Sequence, residues 1–174
     1  MTAAPPDLLI RDEIETPIGT AITVTDEAGV LRAFDWTDFA DKLGRWLERR
    51  YPGVPVKAGE GPLRSPLAAY FAGEIQALDA VRWVGAGTDF QRTVWQALCT
   101  IPAGSTLSYA GLAARIGRPT AMRAVGLANG SNPVALIVPC HRVIGADGSL
   151  TGYGGGLERK RWLLAHEGAA FRNN

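Results

Sequence analysis

Apolar and polar residues alternate in short runs along the first third of the chain, at 8–13, 21–25 and 30–36, with Pro17-Ile18-Gly19 and Asp26-Glu27-Ala28-Gly29 between them. A period of two broken by turn-forming residues predicts three strands in an antiparallel meander. The period then lengthens. Phe39, Leu43, Trp46 and Leu47 recur at helical spacing behind Asp38, an expected N-cap, so a helix is predicted over the sheet to about residue 50. Residues 51–62 contain three prolines and three glycines and are expected to be a loop. Leu67, Tyr70 and Phe71 fit a short helix that closes this unit.

Beyond Gly85-Ala86-Gly87 the pattern becomes one helix after another, which places a domain boundary between residues 80 and 88. Thr88 or Asp89 caps a helix with Phe90, Val94, Trp95 and Leu98 as its buried stripe. Ser108 caps a second, with Leu112, Ala113 and Ile116, that stops at Gly117; Pro119 is expected to open a third at its first turn, running through Met122, Arg123, Val125 and Leu127 to Asn129-Gly130. Two helices joined by Gly117-Arg118-Pro119 form a helix-turn-helix pattern, whose second helix lies on DNA in proteins that bind it. Ala121, Ala124, Gly126 and Ala128 around Arg123 allow close approach to a groove, and serve tight helix packing equally well. The expected fold is an α/β N-terminal domain with a short antiparallel sheet, residues 1–85. A mainly α C-terminal domain of winged-helix-like type, residues 86–174, carries the helix-turn-helix.

Composition sharpens the picture in three places. The chain's 174 residues, 47% hydrophobic, fall between one ordinary domain and two small ones. Residues 1–86 carry nine Lys/Arg against thirteen Asp/Glu, and residues 87–174 carry nine against four, so the second half is the one suited to a phosphate backbone. No run approaches the ~18 apolar residues of a membrane span, and Met1 to Pro6 lack the basic and apolar parts of a secretory signal. A soluble, cytoplasmic protein without a membrane partner is expected. Two cysteines, Cys99 and Cys140, and two histidines, His141 and His166, are too few and too scattered for a structural zinc site, and both cysteines are read as free thiols.

The chemistry concentrates in residues 131–143, where an apolar run enters Pro139 and is followed at once by the thiol of Cys140, the imidazole of His141 and the guanidinium of Arg142. A cysteine at neutral pH is only a few per cent thiolate, and nearby donors with a polarised histidine are the usual means of raising that fraction. Neighbouring residues seldom point the same way, so Cys140 and His141 are expected to communicate through a turn or a water. A third group must then orient the imidazole, a carboxylate being the common choice, and the carboxylates that follow in sequence are Asp147, Glu158 and Glu167. The plain alternative is a small buried cysteine at the end of a core strand beside a histidine that satisfies a carbonyl. Cys99, within the stripe-bearing helix and with no titratable neighbour, is read in that plain way.

Pro139-Cys140-His141-Arg142-Val143, preceded by Asn132-Pro133, resembles the signature of the O6-alkylguanine-DNA alkyltransferases. The resemblance runs over most of residues 88–168, through Phe90-Gln91-Arg92, Ile101-Pro102-Ala103-Gly104, Ser108-Tyr109, Arg123-Ala124-Val125-Gly126, Tyr153-Gly154-Gly155 and Trp162 to Gly168. It is most similar to the bacterial, zinc-free, stand-alone form. The resemblance implies direct-reversal repair: the alkyl group of O6-alkylguanine, and of O4-alkylthymine, passes from double-stranded DNA to Cys140 in a single irreversible turnover that uses no cofactor and no metal. It further implies a monomer, with cooperative assembly on DNA as an added option.

Within that resemblance Cys140 is the acceptor, His141 a water-mediated base held by Glu167, and Asn132 the residue that fixes the turn beneath the thiol. Tyr109 donates a hydrogen bond toward the base as charge develops on it. Tyr153 forms a pocket wall, the carbonyls of Cys140 and Val143 accept from the guanine amino group, and backbone N–H groups around Gly154 and Gly155 approach the O6 atom. Arg123 fills the space left by an everted nucleotide while Ala124 and Gly126 keep its helix near the minor groove. Some members carry Ser at the position of Gly154, which leaves tolerance of bulky alkyl groups open. Two other classes compete. A lesion sensor would flip the base without accepting the alkyl group, but such relatives lack the reactive cysteine; a transcription regulator with a metal-binding response domain would need cysteines that the first 80 residues do not contain.

Overall fold

The computed structural model describes residues 3–173. The chain divides into two compact units, Met1–Ala86 and Gly87–Asn174. In the first, β1 (Leu9–Thr16), β2 (Gly19–Asp26) and β3 (Leu31–Trp36) form the antiparallel meander. Thr16 closes the first hairpin, its hydroxyl donating to the Gly19 carbonyl at 2.6 Å and accepting from the Ile18 N–H at 3.2 Å. Asp26 organises the second turn: one carboxylate oxygen accepts from the N–H groups of Ala28 and Val30, and the other from Nε and Nη2 of Arg32. Burial pushes this carboxyl up, but the Val30 N–H and the Arg32 guanidinium outweigh it and hold the group below its usual range.

Two expectations for this unit need correction. Residues 51–62 are not all loop, because β4 (Val56–Ala58) pairs in parallel with β1 and makes the sheet order β3-β2-β1-β4. All three of its residues are exposed, so it has no apolar alternation to read. Its position is fixed by backbone pairing across the sequence, the Leu9 N–H donating to the Pro55 carbonyl and the Gly59 N–H to the Arg11 carbonyl. Asp38 does not cap the following helix either. A single 3₁₀ turn, Thr37–Phe39, leads into α1 (Ala40–Arg50), whose N-cap is Phe39 without a side-chain cap bond.

The sheet is covered on both faces. Leu9, Ile22, Val24 and Ala33 pack with Leu43, Leu47 and Tyr51 in one cluster. On the other face Asp12 receives a two-pronged bond from Arg64, the first residue of α2 (Arg64–Phe71), at 2.8 and 2.5 Å. This double coverage explains why even Thr23 and Thr25 of β2 are buried.

The second unit opens with α3 (Asp89–Leu98), started by a capping box in which Thr88 and Gln91 satisfy each other's backbone N–H. Val94, Trp95 and Leu98 are its buried stripe, and the Trp95 indole N–H donates to the Ala128 carbonyl at 2.8 Å, tying α3 to the helix that carries Arg123. Cys99 departs from expectation: it caps the end of α3 and is exposed, because the buried stripe ends at Leu98.

A short strand, β5 (Leu107–Ser108), leads into α4 (Tyr109–Arg115), whose N-cap Ser108 accepts from the Gly111 N–H. The next helix, α5 (Met122–Gly130), starts three residues later than the Pro119 reading placed it. Pro119 instead occupies the second position of a turn closed by the Ala121 N–H on the Arg118 carbonyl, where its fixed φ suits it as well as at a helix start. β6 (Val143–Ile144) pairs in parallel with β5, and α6 (Leu157–His166) closes the unit. Among the described residues no helix is long and apolar enough to cross a membrane.

Candidate active site

Cys140 begins a 3₁₀ turn, Cys140–Arg142, that runs directly into β6. The turn before it is built by Asn132, whose Nδ2 donates to the Val138 carbonyl at 2.8 Å while its Oδ1 accepts from the Val134 N–H at 3.0 Å. Within that loop Leu136 takes φ 72, the one non-glycine residue with positive φ among those described, and its side chain is buried. The parallel pairing of β5 with β6 sets Ser108 beside Ile144, so the start of α4 at Tyr109 is brought to the segment that follows the nucleophile.

His141 is fully buried, and its Nε2 lies 2.9 Å from Glu167 Oε1. Of the three downstream carboxylates, Glu167 is therefore the one that meets the imidazole. It also receives Arg142, with Nε at 2.9 Å on Oε2 and Nη2 at 3.0 Å on Oε1, while Arg142 Nη1 reaches the Ile101 carbonyl at 2.7 Å. Burial alone would raise the Glu167 carboxyl, but hydrogen bonds from His141 and Arg142 overcome it and keep the group ionised far below the usual carboxylate range.

Burial lowers the His141 pKa, and with Arg142 already balancing Glu167 the ring is neutral at pH 7. A neutral imidazole facing a carboxylate carries its proton on Nε2. Nδ1 is then an unprotonated acceptor, and it is buried without a hydrogen-bond partner.

The Cys140 thiol is pushed up by burial, while a hydrogen bond from Asn132 and the charge of Lys160 pull it down. The surroundings thus hold it as a thiol at rest and supply the groups that favour its ionised form. Tyr153 stands edge-on to His141, ring centroids 6.5 Å apart, and the Thr151 hydroxyl donates to the Tyr109 hydroxyl at 3.2 Å. Gly155 is buried and its carbonyl accepts from Arg159 at 3.0 Å, whereas Gly154 is exposed.

On α5, Arg123 and Ala124 are exposed together with Met122 and Leu127, and Gly126 is half-buried beside the Tyr109 ring, where an added Cβ would meet Cδ1 at 3.7 Å. The helix that presents Arg123 therefore runs directly past Tyr109. Among the described residues no group of His, Cys, Asp or Glu is arranged to hold a metal ion.

Both carbonyls expected to accept from the guanine amino group already take a bond within the fold. The Cys140 carbonyl, expected to face the substrate, already accepts from the Val143 N–H and lies 3.5 Å from Asn129 Nδ2. The Val143 carbonyl accepts from Lys160 at 2.6 Å and keeps one lone pair for a further donor. Lys160, Arg142 and Asn129 have no role that the sequence alone assigns. Lys160 had a signal: it shares its helix face with Leu157, Leu163 and Leu164, and only Leu157 of these is not buried, so a lysine stands in a core-facing row.

On the acid side His141 and Glu167 respond with one sign. His141 is held neutral in the fold, so the unfolded chain takes up a proton first as pH falls through about 6.5. Glu167, with its depressed pKa, loses its contribution at still lower pH. Both losses act on acidification, and the urea midpoint is expected to fall from pH 7.5 to pH 5. His141→Gln should flatten that slope above pH 5; an unchanged slope would show that other groups set it.

A family model described as the 6-O-methylguanine DNA methyltransferase DNA-binding domain matches residues 89–169. The methylated-DNA–protein-cysteine methyltransferase of Mycolicibacterium paratuberculosis is 62% identical over 159 residues, 88% of this chain and 89% of that protein. The chain belongs to the methylated-DNA–protein-cysteine methyltransferase family. The crystal structure of Mycobacterium tuberculosis O6-methylguanine methyltransferase superimposes with a TM-score of 0.78 at 43% identity, covering 92% of this chain and 93% of that one. The same bacterium's OGT in complex with DNA gives a TM-score of 0.76 at 43% identity, covering 91% and 92%. Family membership thus covers both the N-terminal α/β unit and the helical unit that carries Cys140.

Proposed function

We propose that the chain repairs duplex DNA by moving the alkyl group of O6-alkylguanine, and of O4-alkylthymine, onto the Cys140 sulfur, once per molecule. The observation that carries this reading is a buried thiol followed directly by a neutral histidine whose Nδ1 has no partner and whose Nε2 is fixed by Glu167. The thiol proton passes to Nδ1, through a water where the turn holds the two apart. The thiolate attacks the alkyl carbon in line, the carbon–O6 bond breaks, and its electron pair leaves with the base.

Tyr109 accepts from Thr151 and so keeps its own O–H to donate to the departing guanine, which eases that departure. The product is a thioether, a very poor leaving group, and no group in the site can reverse the step. Transfer of labelled methyl from an O6-methylguanine duplex to the protein, with no added cofactor and a plateau at one methyl per chain, tests the reading. Continued turnover beyond one equivalent, or lesion binding without transfer, would overturn it.

A base stacked in a duplex cannot reach a buried sulfur, so the nucleotide must leave the stack at a cost of a few kcal/mol. Exposed Arg123 on α5 fills the vacated space, and Ala124 beside it lets the helix lie close to the minor groove. Arg123→Ala is expected to slow repair of duplex DNA by roughly 100-fold, equivalent to the few kcal/mol of unstacking. Reaction with a free O6-alkylguanine base should stay within about twofold. Equal losses on the two substrates would remove the intercalating role.

A further inference from the structure

Tyr109 is held at both ends. Its ring lies beside Gly126 of α5, and its hydroxyl accepts from the Thr151 hydroxyl at 3.2 Å. Thr151 stands two residues before Tyr153, so this bond ties the start of α4 to the loop that carries the pocket's other tyrosine. The hydroxyl is presented from a set position, because the Thr151 carbonyl accepts from buried Lys160 at 2.6 Å and a β-branched side chain has few χ1 choices. Thr151 lies outside the motifs that carry the family resemblance.

The bond adds little to the fold. Thr151 is exposed and Tyr109 half-buried, so water competes for both hydroxyls in the free protein. The balance changes when an everted base lies against Tyr109. The base displaces that water, and a hydrogen bond in drier surroundings is stronger. The base also takes the Tyr109 O–H, which makes the phenolic oxygen a better acceptor for Thr151. As the carbon–O6 bond breaks and its electron pair moves onto the base, each hydroxyl polarises the next, and no proton changes owner. The Thr151 donor thus weighs more in the transition state than in the resting complex.

We propose that Thr151 is a positioning residue for alkyl transfer, its hydroxyl acting through Tyr109 as the second donor of a two-hydroxyl chain that ends on the departing base. The proposal rests on the alkyl-transfer reading, which supplies the base at the end of the chain. It assigns Thr151 no contact with the substrate, so its whole effect must pass through the Tyr109 oxygen.

The test follows single-turnover transfer from an O6-methylguanine duplex with the full chain at saturating concentration. Thr151→Val keeps the shape and removes the hydroxyl. It is expected to slow transfer about fivefold, the equivalent of about 1 kcal/mol, which is the size of one neutral hydrogen bond. The urea midpoint should not move, and affinity for undamaged duplex should hold within about twofold. Thr151→Ser, which keeps the hydroxyl, should restore the rate to within about twofold, and in a Tyr109→Phe background Thr151→Val should change it by less than about 1.5-fold. A Thr151→Val rate within about twofold of the unaltered chain, or a loss of about fivefold that persists beside Tyr109→Phe, overturns the proposal. A loss confined to duplex affinity would place the hydroxyl on the DNA backbone and overturns it as well. Should the valine disturb the loop, Thr151→Ala answers the same question. Failure of the repair reading shows separately, as the absence of any methyl on the unaltered chain.

Discussion

Cys140→Ala gains no methyl from an O6-methylguanine duplex, whereas the unaltered chain gains one methyl mass on the peptide carrying Cys140 and stops there. The expected loss is complete, because the substitution removes the nucleophile and nothing around it can substitute. The informative control is the second thiol. Cys99 is exposed at the end of α3 and Cys140 is buried, so accessibility alone would favour Cys99. Reactivity toward an alkyl carbon instead follows the groups that can take the proton and stabilise the anion. Cys140 takes a hydrogen bond from Asn132 and feels the charge of Lys160, and the next residue in its turn is His141, whose buried Nδ1 has no hydrogen-bond partner. Peptide mapping should therefore find Cys99 unmodified in both proteins. Methyl on Cys99, or transfer surviving in Cys140→Ala, would mean that exposure rather than this cluster governs the chemistry.

What could be read from the sequence, and what could not, divides along the range of the interactions. The three strands of the meander and the α3 stripe announce themselves through local periodicity, because one face of each is buried. β4 does not, since Val56, Lys57 and Ala58 are all exposed and are held only by the backbone of β1, some 47 residues earlier in the pairing of Leu9 with Val56. The Cys140-His141 pair was legible as a candidate because thiol and imidazole adjoin. The choice of Glu167 among three carboxylates followed from family resemblance, and the structure supplies its physical basis, the closing of α6 back onto the 3₁₀ turn. Arg142 stood in the signature with no role, since a guanidinium reveals its partner only when Glu167 and the Ile101 carbonyl arrive from elsewhere. Pro119 and Asp38 were misplaced by local rules that fit two positions equally well, a helix start or the turn before it.

The second large effect falls on Glu167, and its direction depends on where an amide would put its oxygen. Oε1 accepts from both His141 Nε2 and Arg142 Nη2, while Oε2 accepts from Arg142 Nε alone. In Glu167→Gln the amide oxygen settles at the Oε1 position, which satisfies two donors and leaves one N–H facing another at Arg142 Nε. The opposite orientation would leave two such clashes. The proton therefore stays on His141 Nε2, and Nδ1 remains able to accept. What disappears is the negative charge that stabilises the imidazolium formed when the thiol proton arrives, in a site where burial already disfavours a charged ring. Single-turnover transfer is expected to slow by about 100-fold or more, in line with losses seen when one electrostatic partner is removed from a preorganised site. The same change strands Arg142 with one buried donor opposed, and stability in urea should fall by about 3 kcal/mol, the lower end for breaking a buried ion pair. Binding to undamaged duplex should hold within about twofold, because the residues proposed to meet DNA lie on α5. A transfer rate within twofold of the unaltered chain, at matched folded fraction, would show that Glu167 only anchors Arg142 and that the imidazole needs no counter-ion to take the proton.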